Sequence, residues 1–486
     1  MIGRHLLGYL PVQVCQAVIG FGGVAVFTRL MSAEDYGVLS LVLAVLAFAH
    51  IVTFTWLQAS LARFHARASV RGRLRDHLKT AYAIYFALAA LIALSIGLAL
   101  IFVPMGPSIQ NALVFGGALF LLRGLLQVGL ESRKAAGEVG AYSALQSAYL
   151  LAGFALGIGL LLGTELGAAS VLAGSVMAAA IVLVFDLPVM ASRARAGRVQ
   201  SARVIVYARF GAAVSASLVF ESLLSVGDRF LIAGFLGNGA LGTYAAGYGL
   251  GDRLLDIVFI WFGMAVWPLT VKAFEREGEG AARRVAGQAA SLMGLISFPA
   301  AIGLVLIAQP LAGFMLGESV REGAATIIPW IAVAGLLNGM MTYYFHEAFT
   351  LKRRSGVMAG LMAVAAVLNI ALNLVLIPRL GILGAAYSTV LAYALALIVS
   401  ALVGRRFFDL PLPWMDWAKA ALATGVMALG VLAIPNTQSA GLDLITHVLV
   451  GAGIYGGLAL ALNIAGCRSW FAVLAPRLQG LAARSR

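Results

Sequence analysis

The sequence predicts an all-α, polytopic membrane protein with about fourteen transmembrane helices. Of its 486 residues, 62% are hydrophobic and only 11% are charged, whereas a soluble domain has about 25% charged residues. Only helices and closed barrels satisfy all backbone polar groups within lipid. The apolar runs here are about 20 residues long, as spanning helices require, and not the alternating segments of about ten residues found in barrels. Helices are therefore the predicted spanning elements.

Fourteen apolar runs mark the predicted spans. They lie at residues 6–28, 36–58, 80–103, 109–130, 141–163, 168–190, 210–235, 243–268, 286–308, 325–348, 357–378, 382–403, 418–435 and 444–466. The segments predicted to lie inside hold 28 Lys and Arg residues, and those predicted outside hold 3. Cytoplasmic loops carry such an excess of basic residues. We therefore expect both termini in the cytoplasm.

The same topology explains most of the net charge of +14. The basic residues form a solvated cytoplasmic rim near anionic lipid, so the charge does not indicate a nucleic-acid partner. Cys15 and Cys467 lie near opposite ends of the chain, and the six His residues show no metal-ligand spacing. We therefore predict neither a disulfide framework nor a metal site.

Short sequence similarities indicate an internal repeat. Gly37 and Gly242 occupy similar positions at the starts of the second and eighth spans, and Gly167 and Gly384 do so at the sixth and twelfth. The predicted organisation is an N-terminal lobe of six helices, a second lobe in parallel repeat and two extra helices with a cytoplasmic tail. Their predicted bounds are residues 1–195, 196–405 and 406–486. Transport sites lie between such repeats near the membrane midplane.

Six charged residues interrupt the seventh and eighth spans, which we predict to be joined by a turn at residues 237–240. A charge at bilayer depth costs about 2.5–3.5 kcal/mol on insertion scales and usually has a function. Four carboxylates face two arginines, so either further arginines complete the cluster, or some acids are protonated or bind a cation. The acids are candidates for ion coupling or gating, although structural salt bridges are the alternative. The six residues are Glu221, Asp228, Arg229, Asp252, Arg253 and Asp256.

Other polar residues lie in or near the apolar runs. Arg123 stands alone in the fourth span, which favours an anionic ligand or a carboxylate partner such as Asp186 or Glu221. Asp186 itself is expected to reach water at the cytoplasmic end of its span. His346 and Glu347 precede three basic residues and are expected at the membrane interface. His50 is expected in the core or at the interface.

No enzyme motif is present in the sequence. The forms GxxxxGK[ST], HExxH and GxSxG do not occur, so neither an ATP motor nor a familiar hydrolase site is predicted. Energy for transport would come from a proton or sodium gradient, the membrane potential or the substrate gradient. No other cofactor is predicted.

Three stretches resemble the Wzx-type polysaccharide transporters of the multidrug/oligosaccharidyl-lipid/polysaccharide flippase superfamily. One extends from Asn369 and Asn373 through Pro378, Gly381 and Gly384 to Thr389; the others are residues 29–37 and the pair 228–232 and 241–244. The resemblance implies a V-shaped, two-lobed alternating-access transporter with a cation-lined central cavity. It implies that an undecaprenyl-diphosphate-linked oligosaccharide is moved from the cytoplasmic to the periplasmic leaflet, driven by an ion gradient. The substrate-binding candidates it implies are Arg29 and Arg229, by motif, and Arg123 and Arg253, by location.

The predicted function is therefore a flippase for exopolysaccharide or O-antigen repeat units in the bacterial inner membrane. Membrane lipids are expected partners, as are a polysaccharide polymerase and export machinery. A lipid II flippase and a drug/cation antiporter are the alternatives within the superfamily, and the surplus acids permit the latter. A polymerase or glycosyltransferase needs a catalytic residue on a sizeable outer loop, and the predicted outer loops are short.

Overall fold

The computed structural model describes residues 2–104, 106–437 and 439–469, and its regular structure within these ranges is helical throughout. Fourteen of the described helices are long and apolar enough to cross a membrane. The prediction of an all-α protein with fourteen spans is therefore confirmed. Several helices extend beyond the apolar runs, because the helical hydrogen bonding continues through the charged residues at their ends.

The chain folds into two compact units, Met1–Gly242 and Thr243–Arg486. The first unit contains seven of the long helices and the first residues of the eighth. They are α1 (Ile2–Leu30), α2 (Ala33–Val70), α3 (Leu74–Phe102), α4 (Pro107–Ala135), α5 (Val139–Gly163), α6 (Ala168–Ala194) and α7 (Ser201–Leu236), followed by α8 (Asn238–Glu277).

The second unit contains the rest of α8 and six further long helices. They are α9 (Glu279–Leu306), α10 (Glu318–Leu351), α11 (Ser355–Leu380), α12 (Ile382–Gly404), α13 (Trp414–Leu432) and α14 (Ala440–Ala461). A short helix, Ala308–Met315, connects α9 to α10. The predicted lobe boundary at residue 195 stays a prediction. The first unit extends past it because α7 packs on α2.

Local sequence sets several helix ends. The Ser32 hydroxyl accepts a hydrogen bond from the Asp35 amide at 3.0 Å and caps α2, as a serine before a helix commonly does. Gly237 has a φ of +83° and alone separates α7 from α8. The predicted turn at 237–240 is therefore too long: a single residue with positive φ, most easily a glycine, reverses the chain.

Two of the long helices contain a π-helical turn. In α2 it covers Ile51–Thr55, and in α10 it covers Met341–Phe345. A π-turn adds a residue to the helix and is frequent at functional sites. Each of the two turns lies next to a histidine, His50 in the first unit and His346 in the second. Both units thus have an irregular helical turn beside a titratable side chain.

Aromatic and aliphatic side chains of α2, α3, α4 and α6 build the core of the first unit. Phe54, Leu57, Leu61, Tyr85 and Leu126 are at most 2% exposed. The ring centroid of Phe54 lies 5.1 Å from those of both Tyr85 and Phe120. The π-turn of α2 is thus anchored by a large buried aromatic residue, so its position in the unit is fixed by packing.

Candidate functional site

Arg123 lies in the middle of α4 in the first unit, and its side chain is exposed. Gly124 beside it leaves room for the π-turn, because an added Cβ would lie 2.9 Å from the Phe54 ring. Arg123 forms no ion pair or hydrogen bond with another described residue. It is close enough to His50 and Tyr149 to interact with them electrostatically. Neither expected carboxylate partner, Asp186 or Glu221, pairs with it.

The π-turn places a second polar group near this arginine. The His50 ring and the Gln58 amide lie within hydrogen-bonding distance, with Gln58 Nε2 3.0 Å from His50 Nε2. In a regular α-helix, eight residues advance about 80° past two full turns. A π-turn contains more residues per turn, so it brings positions 50 and 58 back toward one face.

His50 therefore belongs to a polar group rather than to an apolar core. The ring is half-buried and packs at 6.4 Å from Phe120, one helical turn before Arg123 on α4. Sequence analysis missed this because the π-turn cannot be recognised from hydrophobic periodicity. The only sequence signal was a second polar residue, Gln58, in the same apolar stretch. Arg123, His50 and Gln58 are hereafter called the polar triad of the first unit.

Three of the other predicted residues lie on α7 in the first unit. Glu221 is exposed, Arg229 is half-buried and Asp228 is only 1% exposed. Asp228 and Arg229 both take part in polar or electrostatic interactions. Burial thus increases along the helix from Glu221 to Asp228, so the acids of this helix have different surroundings.

Arg29 is the last basic residue of α1 and is exposed, with an interaction partner of its own. In the second unit, α8 positions the remaining three predicted residues. Asp252 and Asp256 are half-buried and Arg253 is exposed. The packing of α8 onto α10 through Gly247 and Gly251 orients them, since a Cβ at either glycine would meet atoms of α10 within 3.0 Å. The roles assigned to these residues stay predictions.

The prediction that Asp186, on α6, reaches water is wrong. Instead of reaching water it is 2% exposed, and it forms an ion pair with Arg133 of α4, itself 7% exposed. Arg133 also donates to Glu138 at 3.2 Å, and Arg193 donates to Glu138 at 2.9 Å. Two buried charges satisfy each other here, which a sequence without long-range contacts does not reveal. The acid that could have partnered Arg123 is therefore committed elsewhere.

For His346 and Glu347 the interfacial position stays a prediction, but the structure shows that both are enclosed by protein. Their exposures are 7% and 6%, so both are buried in the second unit. The basic residues that follow them are exposed or half-buried, and the burial changes within one helical turn. Among the described residues, no group of three or more His, Cys, Asp or Glu could hold a metal ion.

A family model described as "Polysaccharide biosynthesis protein" matches residues 26–324, more than half of the chain. The chain belongs to this family. The membership agrees with the stretches that resemble Wzx-type polysaccharide transporters. A curated relative from Haloferax volcanii, "Probable flippase AglR", is 23% identical over 242 residues, covering 49% of this chain and 50% of the relative. The chain thus spans about half the length of that relative.

Solved structures show the same fold. The "Lipid II flippase MurJ, inward closed conformation" has a TM-score of 0.77 at 11% identity, covering 94% of this chain and 99% of that one. An "Inward-facing conformation of a multidrug resistance MATE family transporter of the MOP superfamily" has a TM-score of 0.63 at 13% identity, covering 80% and 94%. This member of the polysaccharide biosynthesis protein family is thus a multi-pass membrane protein with a transporter fold.

Proposed function

We propose that the protein is a flippase for lipid-linked oligosaccharides. Family membership and the fold support the transport of a lipid-linked sugar. The observation that carries the proposal is Arg123: within the described residues it has no carboxylate partner, although it lies in the middle of a membrane helix. An unpaired intramembrane charge is costly, and a ligand of opposite charge is the usual reason for its presence.

A diphosphate is the anion that suits this setting. Its charge cannot cross hydrocarbon unaided, whereas a guanidinium binds phosphate oxygens through two parallel hydrogen bonds. His50 and Gln58 of the polar triad add neutral hydrogen-bonding groups beside that charge. We therefore infer an undecaprenyl-diphosphate-linked repeat unit, of exopolysaccharide or O-antigen, as the substrate. Arg29, Arg229 and Arg253 would provide further cationic contacts along its path.

Transport would proceed by alternating access coupled to an ion gradient. Glu221, Asp228, Asp252 and Asp256 are the candidates for coupling or gating. The distribution of basic residues supports cytoplasmic termini. The resemblance to Wzx-type transporters supports an inner-membrane location and movement of the substrate toward the periplasm. A polymerase and export machinery would then receive the repeat unit.

Flipping in proteoliposomes tests the proposal. The purified protein is reconstituted with a lipid-diphosphate oligosaccharide, with lipid II, or with a cationic drug, each with and without a proton or sodium gradient. We expect movement of the oligosaccharide lipid, and at least a tenfold loss with Arg123→Ala, since a charge-assisted hydrogen bond contributes about 1.5–3 kcal/mol. Arg195→Ala, at an exposed position in the same unit, is the matched control.

Each alternative result has a defined meaning. Transport of lipid II alone would assign the protein to peptidoglycan precursors. Export of the drug alone would assign it to cation antiport. Unchanged oligosaccharide flipping in Arg123→Ala, with normal reconstitution, would remove Arg123 from the substrate path and with it the main support for the proposal.

A further inference from the structure

A buried polar site lies in the second unit, at the end of α10 that precedes Lys352. After the π-turn Met341–Phe345, the helix presents His346 and Glu347, which are 7% and 6% exposed. The residues around them in sequence, Tyr344, Ala348 and Phe349, are at most 1% exposed. An ionisable pair is thus enclosed by apolar and aromatic side chains.

The contacts of this pair are few. His346 Nε2 lies 3.4 Å from the Ser400 hydroxyl of α12. The Glu347 Oε2 atom is buried and has no hydrogen-bond partner among the described residues. On the facing helix, an added Cβ at Gly404 would lie 3.4 Å from Ala348, an ordinary van der Waals distance, so the two helices are in contact here. No described group at the site neutralises the carboxyl group.

The helices packed around the site form no ion pair with Glu347 among the described residues. α8, whose Phe259 stacks on Tyr343 of the π-turn, carries the half-buried Asp256 and the exposed Lys272 and Glu275. α11 and α12 contact this end of α10; α11 carries one charge, Arg379 at its far end, and α12 carries none. The other charges of α10 lie at its opposite end. The nearby titratable and charged groups have other partners or are exposed. The Tyr344 hydroxyl donates to the Pro411 carbonyl, Lys352 pairs with Glu279, and Arg354 lies over the Phe407 ring. The exposed groups are Arg353, Arg405, Arg406 and Asp409.

We propose that Glu347, together with His346, is a proton-binding site of the second unit. An isolated buried carboxylate is highly unfavourable, whereas the protonated acid is neutral and needs only local hydrogen bonds. A metal cation would need several oxygen or nitrogen ligands, which the apolar walls of Tyr344, Ala348 and Phe349 do not offer. The exposed basic residues begin one to two turns further on, so a proton has a short path to water.

Because the site directly follows a π-turn, a change in the charge of Glu347 can alter the local helix geometry. Loss of the proton leaves a carboxylate in an apolar pocket, and the irregular helical hydrogen bonding of a π-turn is a place where the chain can rearrange. His346, next to Glu347, is a second group able to carry the proton. If the proposed flippase function holds, this site couples proton movement to the conformational cycle. The existence of the site does not depend on that function.

Infrared spectroscopy of the purified full-length protein tests the site directly. Raising the pH should remove a C=O stretching band of a protonated carboxyl group, and Glu347→Gln should lack this change. Glu347→Asp retains an acid and should retain a shifted band, which keeps the test valid should Gln perturb folding. Glu322→Gln, an exposed acid at the opposite end of the same helix, should leave the band unchanged. A band that keeps its full intensity and its pH dependence in Glu347→Gln would overturn the assignment.

Coupling is measured separately by flipping in the same proteoliposomes. We expect a proton gradient to accelerate flipping several-fold in the wild type and in Glu322→Gln, and to have no effect in Glu347→Gln. The same acceleration in Glu347→Gln would exclude a coupling role while leaving an infrared-positive binding site. Absence of flipping by the wild type would contradict the proposed function and would not bear on the site.

Discussion

Gly37 and Gly242 contact each other reciprocally at the outer turns of the first unit. A Cβ on Gly37 would lie 3.0 Å from the Gly242 nitrogen, and a Cβ on Gly242 would lie 2.9 Å from the Gly37 nitrogen. These glycines occupy similar positions in the predicted internal repeat. An added Cβ on Gly37 would also lie within 2.0 Å of the Asn238 carbonyl oxygen, and one on Gly242 within 2.0 Å of the Ala33 carbonyl oxygen. The two turn sequences that suggest the repeat therefore contact each other directly.

A side chain at this contact should separate the two turns. We expect Gly242→Val to destabilise the protein by about 1–3 kcal/mol, the usual cost of overpacking, because the neighbouring atoms are backbone and cannot turn aside. Thermal unfolding in detergent measures the effect. Gly97→Ala, where an added Cβ meets nothing within 4 Å, should be neutral or slightly stabilising. Equal melting temperatures for Gly242→Val and wild type would contradict the close approach.

The Arg133–Asp186 ion pair should be sensitive to the loss of either partner. Asp186→Asn leaves the buried Arg133 guanidinium with only the more exposed Glu138 as a counter-charge, for which we expect a loss of about 3 kcal/mol, the lower end of the cost of breaking a buried pair. Asp186→Leu combined with Arg133→Met should recover much of that loss, because no uncompensated charge remains.

The control for this prediction is the more exposed pair of Lys134 and Glu131, which are 2.6 Å apart. Glu131→Gln should cost about 1 kcal/mol or less. All variants are compared by chemical or thermal unfolding in the same detergent. A double variant as unstable as Asp186→Asn would show that the unpaired charge of Arg133 is not the source of the loss.

The hydrogen bond between His50 and Gln58 should matter for transport more than for stability. We expect Gln58→Leu to reduce oligosaccharide flipping several-fold, because His50 then loses the partner that orients its ring, with a stability change of about 0.5–1.5 kcal/mol. Gln110→Leu, at an exposed position near the start of the same helix as Arg123, is the control. Wild-type flipping in Gln58→Leu would remove the polar triad from the site.

Tyr207 of α7 forms a hydrogen bond with α3 through its hydroxyl group, and removal of that group tests the contact. The hydroxyl hydrogen-bonds to His77 Nδ1, while His77 Nε2 lies 3.1 Å from the Leu61 carbonyl. Tyr207→Phe leaves a buried imidazole nitrogen without its partner, which costs about 1–3 kcal/mol. Tyr387→Phe, whose hydroxyl has no hydrogen bond among the described residues, should leave the melting temperature unchanged.

Much of this fold follows from the sequence because lipid makes strong demands. A spanning helix must be apolar for about 20 residues, so the fourteen runs were recognisable without any knowledge of packing. Helix ends were less predictable, since α2, α7 and α8 continue beyond the apolar runs through charged residues. Hydrophobicity predicts the ends of the membrane-spanning part of a helix, but it does not predict where the helical hydrogen bonding stops.

The candidate site was predictable only in part. Arg123 could be identified because it interrupts an apolar run, and charge alone identifies such a residue. The surroundings of Asp186, His346 and Glu347 could not, because burial depends on which helices pack around them. The partnership of His50 with Gln58 depends on a π-turn, which has no compositional signature in Ile51–Thr55.

The π-turn in α2 has an evolutionary consequence. A π-turn amounts to a one-residue insertion in an α-helix, so a relative with an uninterrupted helix would lack one residue between His50 and Gln58. Pairing the two sequences without a gap would then mismatch every position through to Val70, where the helix ends. Deleting one residue, such as Val52, should restore a regular helix and leave Gln58 seven residues after His50, still within about 20° of the same face. The pair of polar side chains could thus persist in relatives that lack the π-turn, and only an alignment with a gap between positions 50 and 58 would reveal it.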